Sequence, residues 1–227
     1  MKKTWLTLAG VFAVVFAASA QDFPKNIFGI RAGLNVANVS IKDQSTDSRT
    51  SFHVGVSDQI LLTRSVPFYL ETGLYLSEKG AKQKETVEGY TVTAKMNPLY
   101  LEIPALLSYH IQLGGGKATI QPSFGLYYGL GLGGKFKYEE TYDGETSKES
   151  YHLFKKETVD YGDGETEEIP QTLKRSDFGL RFGVGLTYRK VYLGVGYDLG
   201  LSNIAKDQDQ YAEFKNKCFT LSVGYNF

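Results

Sequence analysis

The sequence predicts an all-β protein, an eight-stranded antiparallel up-and-down transmembrane β-barrel. Three observations carry that expectation. Hydropathy alternates with period two in eight separate stretches, which is the repeat of a strand and not of a helix. The stretches run about 9–13 residues, beyond the roughly 5–6 of globular strands and matched to the roughly 9–11 that cross a bilayer. The connections between them alternate long and short, as in a barrel with surface loops at one end and tight turns at the other.

The first stretch sets Phe28, Ile30, Ala32, Leu34 and Val36 on one face, with Gly29, Arg31, Gly33 and Asn35 on the other. The second places Phe52, Val54 and Val56 against His53, Gly55 and Ser57. Leu70, Thr72, Leu74 and Leu76 then oppose Glu71, Gly73, Tyr75 and Ser77. In the fourth, Leu99 to Tyr109 at odd positions oppose Tyr100, Glu102, Pro104, Leu106 and Ser108. The fifth, Ile120 to Leu132, is apolar at even positions and holds Gly125, Gly129 and Gly131 at odd ones. The sixth runs from Phe178 to Tyr188, with Gly179, Arg181, Gly183 and Gly185 opposite. The seventh, Val191 to Leu199, alternates with Tyr192, Gly194, Gly196 and Asp198. The last sets Phe219, Leu221, Val223, Tyr225 and Phe227 against Cys218, Thr220, Ser222, Gly224 and Asn226.

Composition excludes several alternatives. The 25 Lys and Arg balance 25 Asp and Glu, which leaves no basic excess for a nucleic-acid partner. A single Cys rules out a disulfide framework and a multi-thiolate metal site, and 3 His leave little for a histidine cluster. With 16 Tyr, 14 Phe and 25 Gly against 6 Pro, the chain is rich in strand formers and in small residues. Mean hydropathy is −0.25, and a membrane barrel reads as polar on average because its apolar positions alternate.

Residues 1–20 read as a secretory signal peptide. Lys2 and Lys3 precede an apolar run from Leu6 to Ala17, which is too short to span, and Ala18-Ser19-Ala20 is a small-residue cleavage pattern. Cleavage removes two lysines and no acid, and residues 21–227 form the barrel domain. An even strand count puts both termini on the short-turn, periplasmic side.

A soluble barrel with its apolar face inside is the alternative, and two features oppose it. The polar faces are crowded with Gly, which gains nothing on a solvated strand but makes room for larger side chains inside a narrow barrel. The apolar faces carry aromatics near their ends, at Phe28, Phe52, Tyr109, Phe178, Tyr188 and Tyr225, in the manner of interfacial girdles. Arg31, Glu71, Glu102, Arg181 and Asp198 then project into the lumen. Enclosed charges need partners, so these five are expected to form an ion network that holds the barrel's shape.

Four segments occur in one order: GIRAGLNVANVS (Gly29–Ser40), YLEIPALLSY (Tyr100–Tyr109), VYLGVGYDLGLSNI (Val191–Ile204) and FTLSVGYNF (Phe219–Phe227). Together they resemble the PorT-like outer-membrane β-barrel family of Gram-negative bacteria, across essentially the whole mature chain. The resemblance implies residence in the outer membrane among its lipids. It also implies that Val223, Tyr225 and Phe227 serve as the insertion signal read by the barrel-assembly machinery. The family's founding member is linked to export of surface proteins, a role that does not transfer on resemblance alone.

No catalytic set, cofactor site or metal site is expected. Ser51 and His53 lie near a rim, but His53 points inwards, while His110 and His152 are isolated. Asp143, Glu145, Asp163, Glu165, Glu167 and Glu168 cluster around two Asp-Gly turn signals, at spacings that fit no calcium loop. They read as solvated turns capping extended hairpins, and Cys218 as a small lumenal filler. The expected role is structural or surface-interacting and non-enzymatic, with the long loops meeting an extracellular ligand. The alternatives are an accessory of protein secretion or assembly, and a small gated pore.

Overall fold

The computed structural model describes residues 23–41, 44–160, 166–206 and 213–227; the expected signal peptide lies outside them. Eight long antiparallel strands close into a barrel: β1 (Asn26–Ile41), β2 (Arg49–Leu61), β3 (Phe68–Glu78), β4 (Leu99–Tyr109), β5 (Ala118–Gly133), β6 (Ser176–Tyr188), β7 (Val191–Gly200) and β8 (Phe214–Asn226). Each pairs with its neighbour in sequence, and β1 closes the ring against β8 from Gly29↔Asn226 to Ile41↔Phe214. Closure leaves no edge strand in the wall, as a lipid environment demands.

The wall sorts its side chains as the alternation requires. Ile30, Leu34, Val54, Leu74, Leu126, Val195 and Leu221 are exposed around the outside, a surface that acyl chains cover. Phe28, Tyr188 and Tyr225 stand at the short-turn end of this band, and Phe52 and Phe178 at the other. The inner face buries Tyr69, Tyr75, Tyr100 and Tyr127 among small residues. Glycine makes that filling fit: a Cβ at Gly33 would stand 1.9 Å from the Leu221 carbonyl oxygen and 2.6 Å from the His53 ring.

At one end the turns are tight. Arg189, at φ 57, and Lys190 join β6 to β7 directly. At the other end the wall grows upward. Ala81–Val87 and Tyr90–Met96, between β3 and β4, form one hairpin; Lys135–Tyr142 and Glu145–His152, after β5, form a second. Each closes on a two-residue turn with both positions at positive φ, Glu88-Gly89 (45 and 85) and Asp143-Gly144 (47 and 85), the geometry that matches strand twist. The hairpins pair with each other, Phe136↔Met96 through Thr141↔Thr91, giving a four-stranded sheet on top of the barrel. A smaller hairpin pairs Glu157–Asp160 with Thr166–Ile169.

Two glycines make the neck between barrel and sheet. Gly80 (φ 117) and Gly134 (φ 140) sit where the wall passes into the two hairpins. A Cβ would meet the Met96 carbonyl oxygen at 2.0 Å from Gly80 and the Asn97 carbonyl oxygen at 2.5 Å from Gly134. Asn97 bridges the two, its Oδ1 accepting from the Lys135 amide at 2.8 Å.

Candidate functional site

Above mid-barrel, four strand ends deliver charge to one point. Lys79, just past β3, is fully buried, with its Nζ 2.6 Å from Glu102 Oε1, 3.3 Å from Asp198 Oδ2 and 3.6 Å from Asp177 Oδ2. Arg181 clasps the same acids, its Nε 2.5 Å from Asp198 Oδ1 and its Nη2 2.8 Å from Glu102 Oε2. Tyr127 stacks under Lys79, the ammonium 4.1 Å from the ring centre, and donates to Asp177 Oδ2. Two cations thus face three carboxylates in a site where Lys79 and the acids are buried and Arg181 borders a small cavity, so attraction is strong and a missing partner is costly.

Of the five lumenal charges expected from sequence, three meet here: Glu102, Arg181 and Asp198. The other two do not join them. Arg31 donates to Asn226 Oδ1 at 2.6 Å and lies 3.9 Å over the Tyr192 ring. Glu71 accepts from Gln59 Nε2 at 3.3 Å. A single five-member network is therefore corrected to an ion cluster and a separate polar layer nearer the short-turn end. The sequence reading missed Lys79 and Asp177, although both continue the inward odd-numbered rows of Glu71–Ser77 and Gly179–Arg181. Carrying those two alternations one or two residues further includes both.

His53 does point inwards, its Nδ1 2.7 Å from Asn35 Oδ1 and its Nε2 2.9 Å from Ser222 Oγ. Ser51 instead donates to the Glu78 carbonyl, so the two do not form a pair. Between the two polar layers a cavity of about 70 Å³ remains, lined by Asn35, His53, Glu71, Tyr75 and Arg181 among others. That is room for a few waters and not for a substrate. Cys218 is buried in the wall as a filler, its Sγ 3.6 Å from the Phe219 carbonyl oxygen.

Over the long-loop mouth the loops build an apolar roof. Val39, Ala81, Met96, Tyr100, Leu153, Phe154, Leu173 and Ile204 form one buried cluster, with Ile41, Phe136 and Phe214 packed against it. Backbone bonds tie the roof together, Leu153 N to Gly134 O, Leu173 N to Leu153 O and Lys174 N to Ile204 O. Beside it opens a cleft of about 300 Å³ bordered by Ile41, Ala94, Met96, Phe136, Tyr151 and Phe214, at the lower end of the size range of small-molecule sites. Higher up, Tyr138 donates to Glu140 at 2.8 Å. Hydrogen bonds from Tyr90 and Tyr138 hold the Glu140 carboxyl below its usual range. Tyr90 and Tyr142 stand exposed with ring centres 6.4 Å apart.

Among the described residues no group of three or more His, Cys, Asp or Glu is placed to hold a metal ion. Asp143 sits in its hairpin turn and Glu145 follows it; Asp163 and Glu165 lie outside the described residues, while Glu168 pairs with Lys156 at 3.7 Å.

The profile of the outer membrane protein beta-barrel domain family matches residues 19–206. The chain belongs to that family. This outer-membrane barrel matches no curated protein. Among solved structures it is similar to Ail, the attachment invasion locus protein of Yersinia pestis, at 13% identity and TM-score 0.40, over 90% of this chain and 100% of that one. It is also similar to Neisserial surface protein A at 11% identity and TM-score 0.41, over 88% and 97%. A third likeness is to the N-terminal barrel domain of Pseudomonas aeruginosa OprF, at 12% identity and TM-score 0.30, over 87% and 97%.

Proposed function

We propose that this outer-membrane barrel is a non-enzymatic surface-interaction protein, anchored by a plugged barrel and acting through the sheet that its two longest loops build. The observation that carries the reading is the pairing of those loops with each other, from Phe136↔Met96 to Thr141↔Thr91. Separate loops would each lose conformational entropy on meeting a partner, whereas a preformed sheet has already been ordered by folding. The ion cluster and the buried tyrosines of the lumen support an anchoring role over that of a pore.

In this reading the long-loop end faces outwards and both termini face the periplasm. A signal peptide at 1–20 directs export, and Val223, Tyr225 and Phe227 present the insertion signal to the assembly machinery. Membership of the PorT-like branch rests on the YLEIP segment and its companions.

Deletion of residues 81–96 and 135–152, each replaced by a short Gly-Ser turn, tests the proposal. The expected result is a barrel that still migrates faster unheated than boiled, on cells that have lost adhesion to host or matrix surfaces. Unchanged adhesion, or conductance steps in planar bilayers from the intact protein, would overturn it.

A further inference from the structure

The cross-strand register of the surface sheet gives it two unlike faces. On one face Lys82 stands opposite Lys95, and Lys95 opposite Lys137, so three ammonium groups share one row. In the next row towards the tip the same face carries Lys84, Thr93, Glu139 and Lys148, and beyond it Thr86, Thr91, Thr141 and Thr146. The row below adds Lys135 and His152. The opposite face begins with Ala81, Met96 and Phe136 and carries Glu85, Glu140 and Glu149 higher up. Six lysines therefore occupy one side of a small sheet. Among the described residues three carboxylates adjoin them: Glu139, 3.8 Å from Lys95; Asp47, bridged to Lys82 through the backbone; and Glu157, whose Oε2 accepts from the His152 amide at 3.0 Å.

Like charges directly opposite one another across strands destabilise a sheet, so the three-lysine row is a local cost that an anion would offset. The direction in which the row faces says which anion. Ala81 and Met96 are buried in the roof over the lumen, and Phe136 packs against it. Alternation along the strands turns the lysines the other way, outward from the barrel axis and over the surrounding lipid. Height agrees as well: Leu132 is still on the lipid-exposed band, and Lys135 follows three residues later, about 10 Å along a strand. Lysine stems bend towards such a layer while keeping the ammonium hydrated.

We infer that the lysine face of the surface sheet, centred on Lys82, Lys95 and Lys137, binds the phosphate groups of phosphorylated glycolipid in the surrounding outer leaflet. The sheet is thereby held upright on its lipid side, with the base of its other face packed on the roof and its tip left free. The inference rests on the long-loop end facing outwards.

Native mass spectrometry of the full-length barrel in neutral detergent, titrated with bis-phosphorylated lipid A, reads this binding. The triple variant K82Q/K95Q/K137Q is expected to bind about a hundredfold more weakly at low salt, roughly fivefold for each lysine lost near an anionic surface. Dephosphorylated lipid should bind wild type no better than the variant, and K117Q/K190Q, at the short-turn end, should bind as wild type. A faster unheated band on gels confirms that each variant is folded. Equal binding by wild type and the triple variant overturns the inference, as does a preference for a soluble sulfated polysaccharide with the same lysine dependence. Orientation is read separately by maleimide labelling of an E88C variant on intact cells. Absence of labelling there would refute the outward reading, whatever the lipid titration gave.

Discussion

Lys79 Nζ lies 2.6 Å from Glu102 Oε1 with both side chains closed to solvent, and the same ammonium reaches Asp198 and Asp177 within 3.6 Å. A lysine so placed is the hub that lets three carboxylates share a lumen. Lys79→Met leaves Arg181 alone against all three, and breaking a buried pair in this way costs about 3–5 kcal/mol. Lys79→Met combined with Glu102→Gln removes one charge of each sign, and should recover about 1–3 kcal/mol of the single variant's loss through coupling. Urea titration of the barrel in bilayers, followed by gel mobility, measures both. Additive losses would show that the contact carries little energy.

The neck is expected to uncouple the sheet from the barrel. At Gly80 the backbone is at φ 117, and a Cβ would stand 2.0 Å from the Met96 carbonyl oxygen. Gly80→Ala must therefore push Met96 away or change the backbone, at a cost of about 1–3 kcal/mol. The strain falls on the first rung of the sheet, Ala81↔Met96, and not on the wall. Limited proteolysis should cut within residues 81–96 faster than in wild type, while the heat-dependent gel shift is unchanged. Loss of the gel shift would mean that the neck is needed for the barrel itself.

Tyr192 occupies a slot that two glycines leave open. A Cβ at Gly194 would lie 2.5 Å from its hydroxyl oxygen, and one at Gly185 2.5 Å from its ring. The guanidinium of Arg31 covers the ring at 3.9 Å. Gly194→Val overfills this layer, which costs about 1–3 kcal/mol in a packed interior, and it should release Arg31 from the ring. Gly194→Val should lower the unfolding midpoint, whereas Gly133→Val, where a Cβ would meet nothing within 4 Å, should leave it near that of wild type; equal shifts would mean a general effect of valine.

The wall was legible because bilayer burial leaves a period-two record in every strand, and a one-residue slip of register would have put Ile30 and Leu34 into the lumen. Strand ends were less legible. The alternation at Ser77 continues to Lys79, but a lysine among polar neighbours reads as loop until three carboxylates from other strands are seen around it. Arg31 and Glu71 share the buried inner face but not the hydrogen-bonded ion cluster, because period two gives the face of a residue and not its height along the barrel axis. The Asp143-Gly144 hairpin could be read from its dipeptide. Its pairing with the hairpin of residues 81–96 could not, since nothing local in either segment encodes a partner in the other.

His110, just past β4 at the short-turn end, stacks on Tyr69 with ring centres 4.0 Å apart and an interplanar angle of 20°. Burial pushes it down to about 4 from 6.5, so the folded barrel favours the neutral imidazole. The unfolded chain then binds more protons between those values, and stability rises with pH across that window. The contribution is fully present above pH 6.5, falls as pH drops, and is gone once pH passes below 4. A shift of this size corresponds to about 3 kcal/mol. His110→Phe keeps the stack and removes the titration, so the difference in unfolding free energy between wild type and variant should slope through pH 4–6.5 and flatten outside it. A parallel pair of curves would place the His110 titration near 6.5 in the folded barrel, which a proton-detected histidine titration would read directly.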